Sequence, residues 1–292
     1  MTSDPIEAFL SRLQHPLLAG IDLSLDRMHR LLGMLGSPHK RLPPVVHVAG
    51  TNGKGSLLAN LYAIYEAAGY RVHRYTSPHL VEFRERMIVQ NKMVENAYLQ
   101  NVVQHLASVL AVQPATFFEA TTALAFLVFA EKPADIMLLE TGMGGRLDAT
   151  NVVDRPLVTA ITPISYDHTE FLGTTLTAIA GEKAGIMKKG VPCVIGRQEP
   201  EAMAVLEKKA AELNVPLYRL GHEFHVERRD GRVFYHSDKR EIEIRPALSG
   251  DFQYDNAASA IACIEAMEGK YNITSEHMQQ GIASTKWAAR LE

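Results

Sequence analysis

The sequence predicts an α/β protein in which a mostly parallel, doubly wound sheet is flanked by helices and begins with a phosphate-binding loop (P-loop). The first observation is an apolar run, residues 45–49, that enters a glycine-rich turn and leads into a helical pattern over 57–68. Short apolar runs then alternate with helical segments as far as residue 213, which is typical of parallel strands joined by crossover helices. Finally, short alternating runs over 217–245 predict a small antiparallel β appendage.

The remaining elements follow from periodicity and from glycine and proline positions. Two helices are predicted before the first strand, at Ile6–Leu13 and Leu23–Gly36. Further strands are predicted at Tyr70–Thr76, Ile136–Leu139, Leu157–Thr162 and Val191–Ile195, with Pro192 indicating a strand start or an edge. Further helices are predicted at Asn96–Val112, Glu119–Glu131, Thr177–Lys189, Ala202–Leu213, Asn256–Met267 and Ser275–Ser284. Residues 81–95 fit either a short hairpin or a loop over the site.

Composition excludes several classes of protein. The chain has 292 residues, 47% hydrophobic and 22% charged, which is enough apolar material for a large core. A net charge of −3 gives no electrostatic case for binding nucleic acid or an anionic membrane. The two cysteines, Cys193 and Cys263, lie in apolar runs and suit a reducing compartment. The start of the chain does not fit a signal peptide and no stretch has eighteen apolar residues, so we expect a cytoplasmic protein. We also expect a monomer that acts on small molecules and binds neither nucleic acid nor membranes.

The P-loop candidate is Gly50-Thr51-Asn52-Gly53-Lys54-Gly55-Ser56. Its glycines let backbone N–H groups close around a polyphosphate, and the following helix adds a partial positive charge. Lys54 would lie along the β- and γ-phosphates, and Ser56 or Thr51 could reach a magnesium ion. The common pattern G-x-x-x-x-G-K-[ST] is not met, because Val48 replaces the first glycine and Gly55 separates Lys54 from Ser56. An ordinary glycine-rich turn before a helix therefore stays open as an alternative.

Acidic residues follow the strand at 136–139. Ligands of doubly wound sheets bind beyond the carboxyl ends of the strands, and Glu140 stands there, ahead of the glycine-rich segment 141–151. A carboxylate in that place beside a phosphate loop is a usual magnesium ligand. The alternative is a solvated glutamate in a surface turn.

A histidine and a lysine form the next candidates. Asp167 and His168 follow the strand at 157–162, where His168 could bind a metal ion oriented by Asp167, or could be a structural histidine. Lys183 lies inside an apolar helix and could face inward, where it must be paired, modified or neutral. The alternative is a surface salt bridge with Glu182 or Asp167.

Five segments carry a resemblance to a known family. They are His-Val-Ala-Gly-Thr-Asn-Gly-Lys-Gly-Ser (47–56), Tyr-Thr-Ser-Pro-His-Leu (75–80), Leu-Glu-Thr-Gly-Met-Gly-Gly-Arg-Leu-Asp-Ala-Thr-Asn (139–151), Asp-His-Thr-Glu-Phe-Leu-Gly (167–173) and Glu-Lys-Ala-Gly-Ile (182–186). In sequence, order and spacing the chain resembles the folylpolyglutamate synthase/dihydrofolate synthase family of the Mur ligase superfamily. The Gly-Lys-Gly-Ser variant of the P-loop is itself typical of this folate branch.

The resemblance implies an ATP-dependent ligase that adds L-glutamate to dihydropteroate, to reduced folates, or to both, through an acyl phosphate. It implies ATP and two Mg²⁺ ions as cofactors. By residue, it implies triphosphate binding by Lys54 and the loop from Gly50 to Ser56; magnesium binding by Ser56, Ser77 and Glu140; a second magnesium at His168; a carbamylated lysine at Lys183 that serves as a metal ligand; adenine contacts from Gln253 and Asn256; and an arginine near the phosphates at Arg290.

The chain departs from the family pattern in three places. Phe252 stands where the family has a histidine, and the family's Trp-Pro-Gly-Arg reads Trp287-Ala288-Ala289-Arg290. The family also carries a second, C-terminal α/β domain beyond this arginine. We therefore expect residues 1–292 to form the ATP-binding domain, with nucleotide binding but little ligation by this chain alone.

Two other functions stay open. A cell-wall Mur ligase would need a nucleotide-sugar domain before the P-loop, and only 44 residues precede Val45. A nucleotide-binding module without ligase activity is the other alternative. On the acceptor side, His79 and the 81–95 segment are candidate pterin or closure elements, and we interpret Arg27 as a solvated charge rather than a folate contact.

Overall fold

The computed structural model describes residues 5–13, 24–267 and 269–287. Within them, the main sheet has eight strands in the order β4-β3-β2-β5-β1-β6-β7-β8. Its strands are β1 (Val45–Ala49), β2 (Val72–Tyr75), β3 (Met87–Val89), β4 (Lys92–Met93), β5 (Ile136–Glu140), β6 (Val158–Ile161), β7 (Cys193–Ile195) and β8 (Leu217–Arg219). All neighbours from β2 through β8 pair in parallel, whereas β3 and β4 are antiparallel. The predicted α/β fold class is confirmed.

Helices cover both faces of this sheet. They are α1 (Pro5–Leu13), α2 (Asp26–Met34), α3 (Lys54–Ala67), α4 (Asn96–Leu110), α5 (Phe117–Glu131), α6 (Thr169–Leu172), α7 (Leu176–Ala184), α8 (Pro200–Leu213), α9 (Phe252–Ala266) and α10 (Ser275–Ser284). Central strands β1 and β5 are buried along their whole length, as their continuous apolar runs require. One face packs against α1, α2, α4 and α5, and the other against α3, α9 and α10.

The antiparallel appendage is a separate three-stranded sheet in the order β11-β10-β9. Its strands are β9 (Phe224–Arg229), β10 (Arg232–Ser237) and β11 (Glu241–Glu243). The predicted span of 217–245 begins too early, because residues 217–219 form β8 and pair in parallel with β7 in the main sheet. Three residues are too few to show the apolar run of a parallel strand, so periodicity could not separate β8 from the appendage.

Two further sequence expectations are resolved. Residues 81–95 contain the β3–β4 hairpin, whose turn residues Gln90 and Asn91 both have positive φ, as a tight hairpin turn requires. The helix predicted over 177–189 was too long, because α7 ends at Ala184. There the chain turns at Gly185, against which the backbone of Arg146 packs too closely to admit a side chain.

Two expectations drawn from composition can be compared with the described residues. Cys193 and Cys263 are both buried and free, as expected. No helix in the described ranges is long and apolar enough to cross a membrane.

Candidate active site

The P-loop connects β1 to α3 at the carboxyl edge of the sheet, and two of its glycines are required by close contacts. Gly50 has φ +149°, and a Cβ atom there would lie 1.8 Å from Thr162 Oγ1. Gly53 has φ +85°, and a Cβ atom there would lie 2.6 Å from Asn256 Oδ1. The N–H groups of Thr51 and Asn52 donate to Pro163 O at 3.0 and 3.2 Å, which fastens the loop to the end of β6. Because these two N–H groups are already bonded, the candidate donors to an anion are the N–H groups at the N-terminus of α3.

Lys54 is the first residue of α3, and its side chain folds back over the loop. Its Nζ donates to Gly50 O at 3.0 Å and to Thr51 O at 3.4 Å, and it lies 4.0 Å from Glu140 Oε1. These carbonyl contacts are ones that phosphate oxygens can replace. The lysine is therefore held within reach of a polyphosphate on the loop.

Glu140 ends β5 and is only 4% exposed. Its Oε2 accepts a hydrogen bond from the N–H of Ser77 at 3.1 Å, beside a cis Ser77–Pro78 peptide. The structure thus brings together Lys54, Ser77 and Glu140, which are distant in sequence. Among the described residues no group of three or more His, Cys, Asp or Glu forms a metal cage. One buried carboxylate beside hydroxyl groups suits Mg²⁺, which is typically held by one or two carboxylates, substrate phosphates and waters.

Lys183 faces inward from α7 and is 2% exposed. Its Nζ donates to Gly50 O at 2.9 Å, so it touches the same carbonyl as Lys54. Burial, and then the charge of Lys54, lower the pKa of Lys183 to about 8. Glu182 instead forms a salt bridge with Arg146 at 2.8 Å, so the alternative interpretation of Lys183 as a surface partner of Glu182 is wrong.

His168 is less enclosed than the lysines. It is exposed, has φ +47°, and its Nε2 lies 3.7 Å from Asp167 Oδ1. Both residues line the same cavity as Lys54 and Glu140. The structure therefore brings His168 to the rim of the site.

The start of α9 packs against the P-loop. Gln253 Nε2 donates to Ser56 Oγ at 3.4 Å, and Asn256 Nδ2 donates to Gln253 Oε1 at 3.0 Å. All three residues are buried. Phe252, which replaces the family's histidine, is 57% exposed. The predicted site residue Arg290 lies outside the described residues.

A cavity of about 570 Å³ opens beside the P-loop. Its apolar lining includes Leu25, Phe117, Phe118, Met143, Leu147 and Ala149; its polar lining includes Arg27, Lys54, Ser77, Arg86, Glu119, Glu140, Asp148, Asp167 and His168. Such a mixture of aromatic walls and few polar groups is typical of small-molecule sites.

Arg27 forms part of that wall. Its Nε lies 2.8 Å from Glu119 Oε2, and both side chains are about one-tenth exposed. Glu119 Oε2 also accepts from the N–H and hydroxyl of Thr116, at 2.8 and 2.7 Å, in a capping box at the start of α5. The interpretation of Arg27 as a solvated charge is therefore wrong. The Thr-x-x-Glu spacing predicts the capping box at the start of α5. No local sequence pattern predicts that its glutamate pairs with Arg27.

His79 is held beside the cavity by Arg86. The Nε of Arg86 donates to His79 Nδ1 at 2.8 Å, and Arg86 itself lines the cavity. Burial lowers the pKa of His79, followed by the charge of Arg86.

A buried polar chain below the cavity was not predicted as a unit. His47 Nε2 lies 2.8 Å from Thr150 Oγ1, and that hydroxyl donates to Asp148 Oδ1. Asp148 Oδ2 accepts from the N–H groups of Gly142 and Met143, each at 2.9 Å. This chain, the Asp148 clamp, holds the glycine-rich segment 141–148 to β1. His47 and Thr150 are 103 residues apart in sequence, so no local pattern reveals their contact.

Comparison with known proteins agrees with this geometry, which is that of a P-loop α/β nucleotide-binding domain. The sequence profile of the Mur ligase middle domain matches residues 48–264. The chain therefore belongs to the Mur ligase family.

Within that family the chain is similar to folylpolyglutamate and dihydrofolate synthases. It is 38% identical over 289 residues to the dihydrofolate synthase/folylpolyglutamate synthase of Bacillus subtilis, covering 94% of this chain and 66% of that protein. The apo form of L. casei FPGS superposes with a TM-score of 0.91 at 34% identity, covering 99% of this chain and 72% of that one. E. coli FolC in complex with DHPP and ADP superposes with a TM-score of 0.89 at 34% identity, covering 99% of this chain and 68% of that one. The chain thus spans just under two thirds of the B. subtilis protein.

Proposed function

We propose that the protein carries out ATP-dependent ligation of L-glutamate to the carboxylate of a pterin acceptor, either dihydropteroate or a reduced folate. The observation that carries this proposal is the junction of two sites. A P-loop with Lys54 and Glu140 opens directly into a cavity with aromatic walls and charged groups. A phosphoryl donor and a flat, carboxylate-bearing acceptor can therefore meet at that junction.

The nucleotide half of the site is built on the P-loop. The N-terminus of α3 supports the phosphates, and Lys54 leaves the carbonyls of Gly50 and Thr51 to bind them. Gln253 and Asn256, buried against Ser56, are assigned to the adenosine side. Arg290 is assigned to the phosphates on the family resemblance alone.

Magnesium fits the residues present. Glu140, Ser77 and Ser56 would hold one ion, and His168 with Lys183 a second; bound Mg²⁺ would neutralise charge on the phosphate oxygens. Lys183 as a free cation beside Lys54 opposes a metal there. Its pKa of about 8 leaves a part of the amine neutral near pH 7, and a neutral amine can take up CO₂ as a carbamate. Carbamylation would turn this buried cation into an anionic oxygen ligand, opposite in charge to its neighbour Lys54.

The acceptor half is the cavity. Phe117 and Phe118 offer apolar surface to a ring system, and the Arg27–Glu119 pair and Asp148 offer polar groups to its edges. E. coli FolC, a structural relative, has been captured with DHPP and ADP together. We infer that dihydropteroate occupies the cavity with its carboxylate toward Lys54.

The reaction then proceeds in two displacements. An acceptor carboxylate oxygen attacks the γ-phosphorus, the bond between that phosphorus and the bridging oxygen breaks, and ADP leaves. Lys54 and the N-terminal amides of α3 offset the charge that develops on the transferring phosphoryl group. The amine of glutamate attacks the acyl phosphate carbonyl, phosphate leaves, and an amide forms with loss of one proton.

Phosphate release from ATP tests this function in the protein expressed from the complete gene. We expect release that requires both glutamate and either dihydropteroate or tetrahydrofolate. Lys54→Ala should reduce it by about a hundredfold or more, since it removes a transition-state contact. The matched control is Lys92→Ala, an exposed lysine on strand β4.

The same assay separates the alternatives. A cell-wall ligase would release phosphate only with a nucleotide-sugar acceptor, and a non-ligating module would hydrolyse ATP whether or not pterin and glutamate are present. Either result would overturn the folate proposal. We also propose a cytoplasmic monomer, which light scattering after size exclusion tests for the oligomeric state.

A further inference from the structure

Arg74 forms an unusual contact beside the P-loop. Its Cζ lies 4.9 Å from the ring centroid of Tyr62 and 5.0 Å from that of Trp287. Its buried Nε has no hydrogen-bond partner among the described residues. The guanidinium also lies in the field of Glu140 and Glu66. A cation over the faces of aromatic rings is attracted by their quadrupoles, and this attraction adds to that of the two carboxylates.

Trp287 contacts the P-loop directly. A Cβ atom on Gly55 would lie 2.5 Å from Trp287 Cζ2, so the indole packs against a residue that has no side chain. Gly55 stands between Lys54 and Ser56 in the sequence. The position of the indole therefore restricts the backbone that carries both residues.

A second link joins the same C-terminal segment to α3. Thr285 Oγ1 donates to Asn60 Oδ1 at 3.1 Å, and Asn60 Nδ2 donates to Ser56 O at 2.8 Å. Segment 285–287 therefore touches α3 at two places, through Asn60 and through Gly55. Thr285 is buried, whereas Trp287 is partly exposed. The hydrogen bond to Asn60 fixes the Thr285 end of the segment, whereas the position of the Trp287 indole depends on its other contacts.

We propose that Arg74 is a positioning residue, which holds Trp287 on Gly55 and thereby sets the P-loop in the geometry that binds the nucleotide. It is not catalytic, because it acts through the indole. The inference rests on nucleotide binding at the P-loop, which is part of the proposed function. The inference adds Arg74 of β2 to the residues that determine nucleotide affinity. Arg74 directly precedes the family segment 75–80 and is not part of any of the five segments.

Trp287 is the only tryptophan of the chain, so its fluorescence reports on the contact. The test compares the wild-type 292-residue chain with Arg74→Met, Arg74→Lys and Trp287→Leu, using Mg·ADP as the probe. Calorimetry gives the Kd and fluorescence gives the environment of the indole. Arg74→Met should raise the Kd between about twofold and thirtyfold, the range that a cation–π contact contributes. It should also shift the Trp287 emission to longer wavelength.

Two features separate positioning from general stability. The double variant Arg74→Met/Trp287→Leu should bind no more weakly than the weaker single variant, because both remove one contact. Arg74→Lys keeps a cation and should bind more tightly than Arg74→Met. The control is Arg71→Met, an exposed partner of Asp135 just before the same strand, which should leave the Kd unchanged.

The outcomes distinguish the inference from the function on which it rests. If the wild-type chain binds Mg·ADP and either Arg74→Met or Trp287→Leu binds it equally well, the inference is overturned and the nucleotide site stands. Additive losses in the double variant would also overturn it. Failure of the wild-type chain to bind any nucleotide would instead overturn the P-loop assignment and the inference with it. Should Arg74→Met fail to fold, Arg74→Gln replaces it, and a Kd and a Trp287 emission equal to those of the wild-type chain would then overturn the inference.

Discussion

The substitution Thr150→Val tests whether the Asp148 clamp stabilises the site. Valine has nearly the shape of threonine, so the change removes one hydroxyl without opening a cavity. Among the described residues that hydroxyl is the one hydrogen-bond partner of the His47 ring, because His47 Nδ1 has none. The same hydroxyl donates to Asp148, which keeps three backbone donors, namely Gly142, Met143 and Thr150 N–H.

The expected loss follows from what is left unsatisfied. His47 is fully buried, and losing its remaining partner costs about 1–3 kcal/mol for an orphaned polar group. Asp148 is 5% exposed and loses one of its four hydrogen bonds, which for a carboxylate costs about 1.5–3 kcal/mol. We therefore expect Thr150→Val to lower the free energy of unfolding by about 2.5–6 kcal/mol.

Urea denaturation followed by circular dichroism measures this loss. The matched control is Thr150→Ser, which keeps the hydroxyl and loses only a methyl group, about 1 kcal/mol. An unchanged m value would show that stability, not compactness, has altered. The reasoning is refuted if Thr150→Val is no less stable than Thr150→Ser, because the hydroxyl would then contribute nothing.

Three further predictions follow from the same structure. Burial, followed by the charge of Lys188, lowers the pKa of His47 to about 3. Between about pH 6.5 and 3 only the unfolded chain protonates His47, so the free energy of unfolding should fall by about 1.4 kcal/mol for each unit by which the pH drops. Urea titrations of His47→Gln should give a shallower dependence of the free energy of unfolding on pH. An equal dependence in both proteins would contradict the lowered pKa of His47. Gly50→Ala places a Cβ 1.8 Å from Thr162 Oγ1 and should cost about 2–4 kcal/mol, whereas Gly181→Ala in α7 meets open space and should stabilise by about 0.5–1 kcal/mol; thermal unfolding would disprove this if both variants melted together. With ¹³C-labelled bicarbonate, the wild-type protein should show a carbamate carbon signal that Lys183→Met lacks, and a wild-type spectrum without that signal would contradict carbamylation.

The sheet could be predicted because its strands are buried on both faces. Strands β1, β5 and β6 are mostly apolar and buried along their whole length, and polar or glycine residues stand at or just after their carboxyl ends, where the site lies. That edge rule alone brought Glu140 and the segment after β6 to the P-loop. Short elements carry too little periodicity, which is why β8 was assigned to the appendage.

The contacts between distant segments could not be predicted in the same way. Arg27 reads as an exposed helical charge until α5 brings Glu119 against it. Lys183 was ambiguous, since a helix of nine residues with small side chains on several faces does not define which face is buried. Here tertiary packing decides the environment of a charged group, and local sequence does not contain that information.

The unusual form of the P-loop is explained by these same tertiary contacts. Val48, which occupies the place of the expected first glycine, is a fully buried residue of β1 and has no loop function. Gly50 takes over the close approach, against Thr162 at the end of β6. Gly55, the extra residue between Lys54 and Ser56, lies under the indole of Trp287, where any side chain would collide. A Gly-Lys-Gly-Ser loop is therefore expected wherever a C-terminal segment packs an aromatic ring onto the first turn of the helix, and replacing Gly55 by alanine should weaken nucleotide binding less in Trp287→Leu than in the wild-type chain.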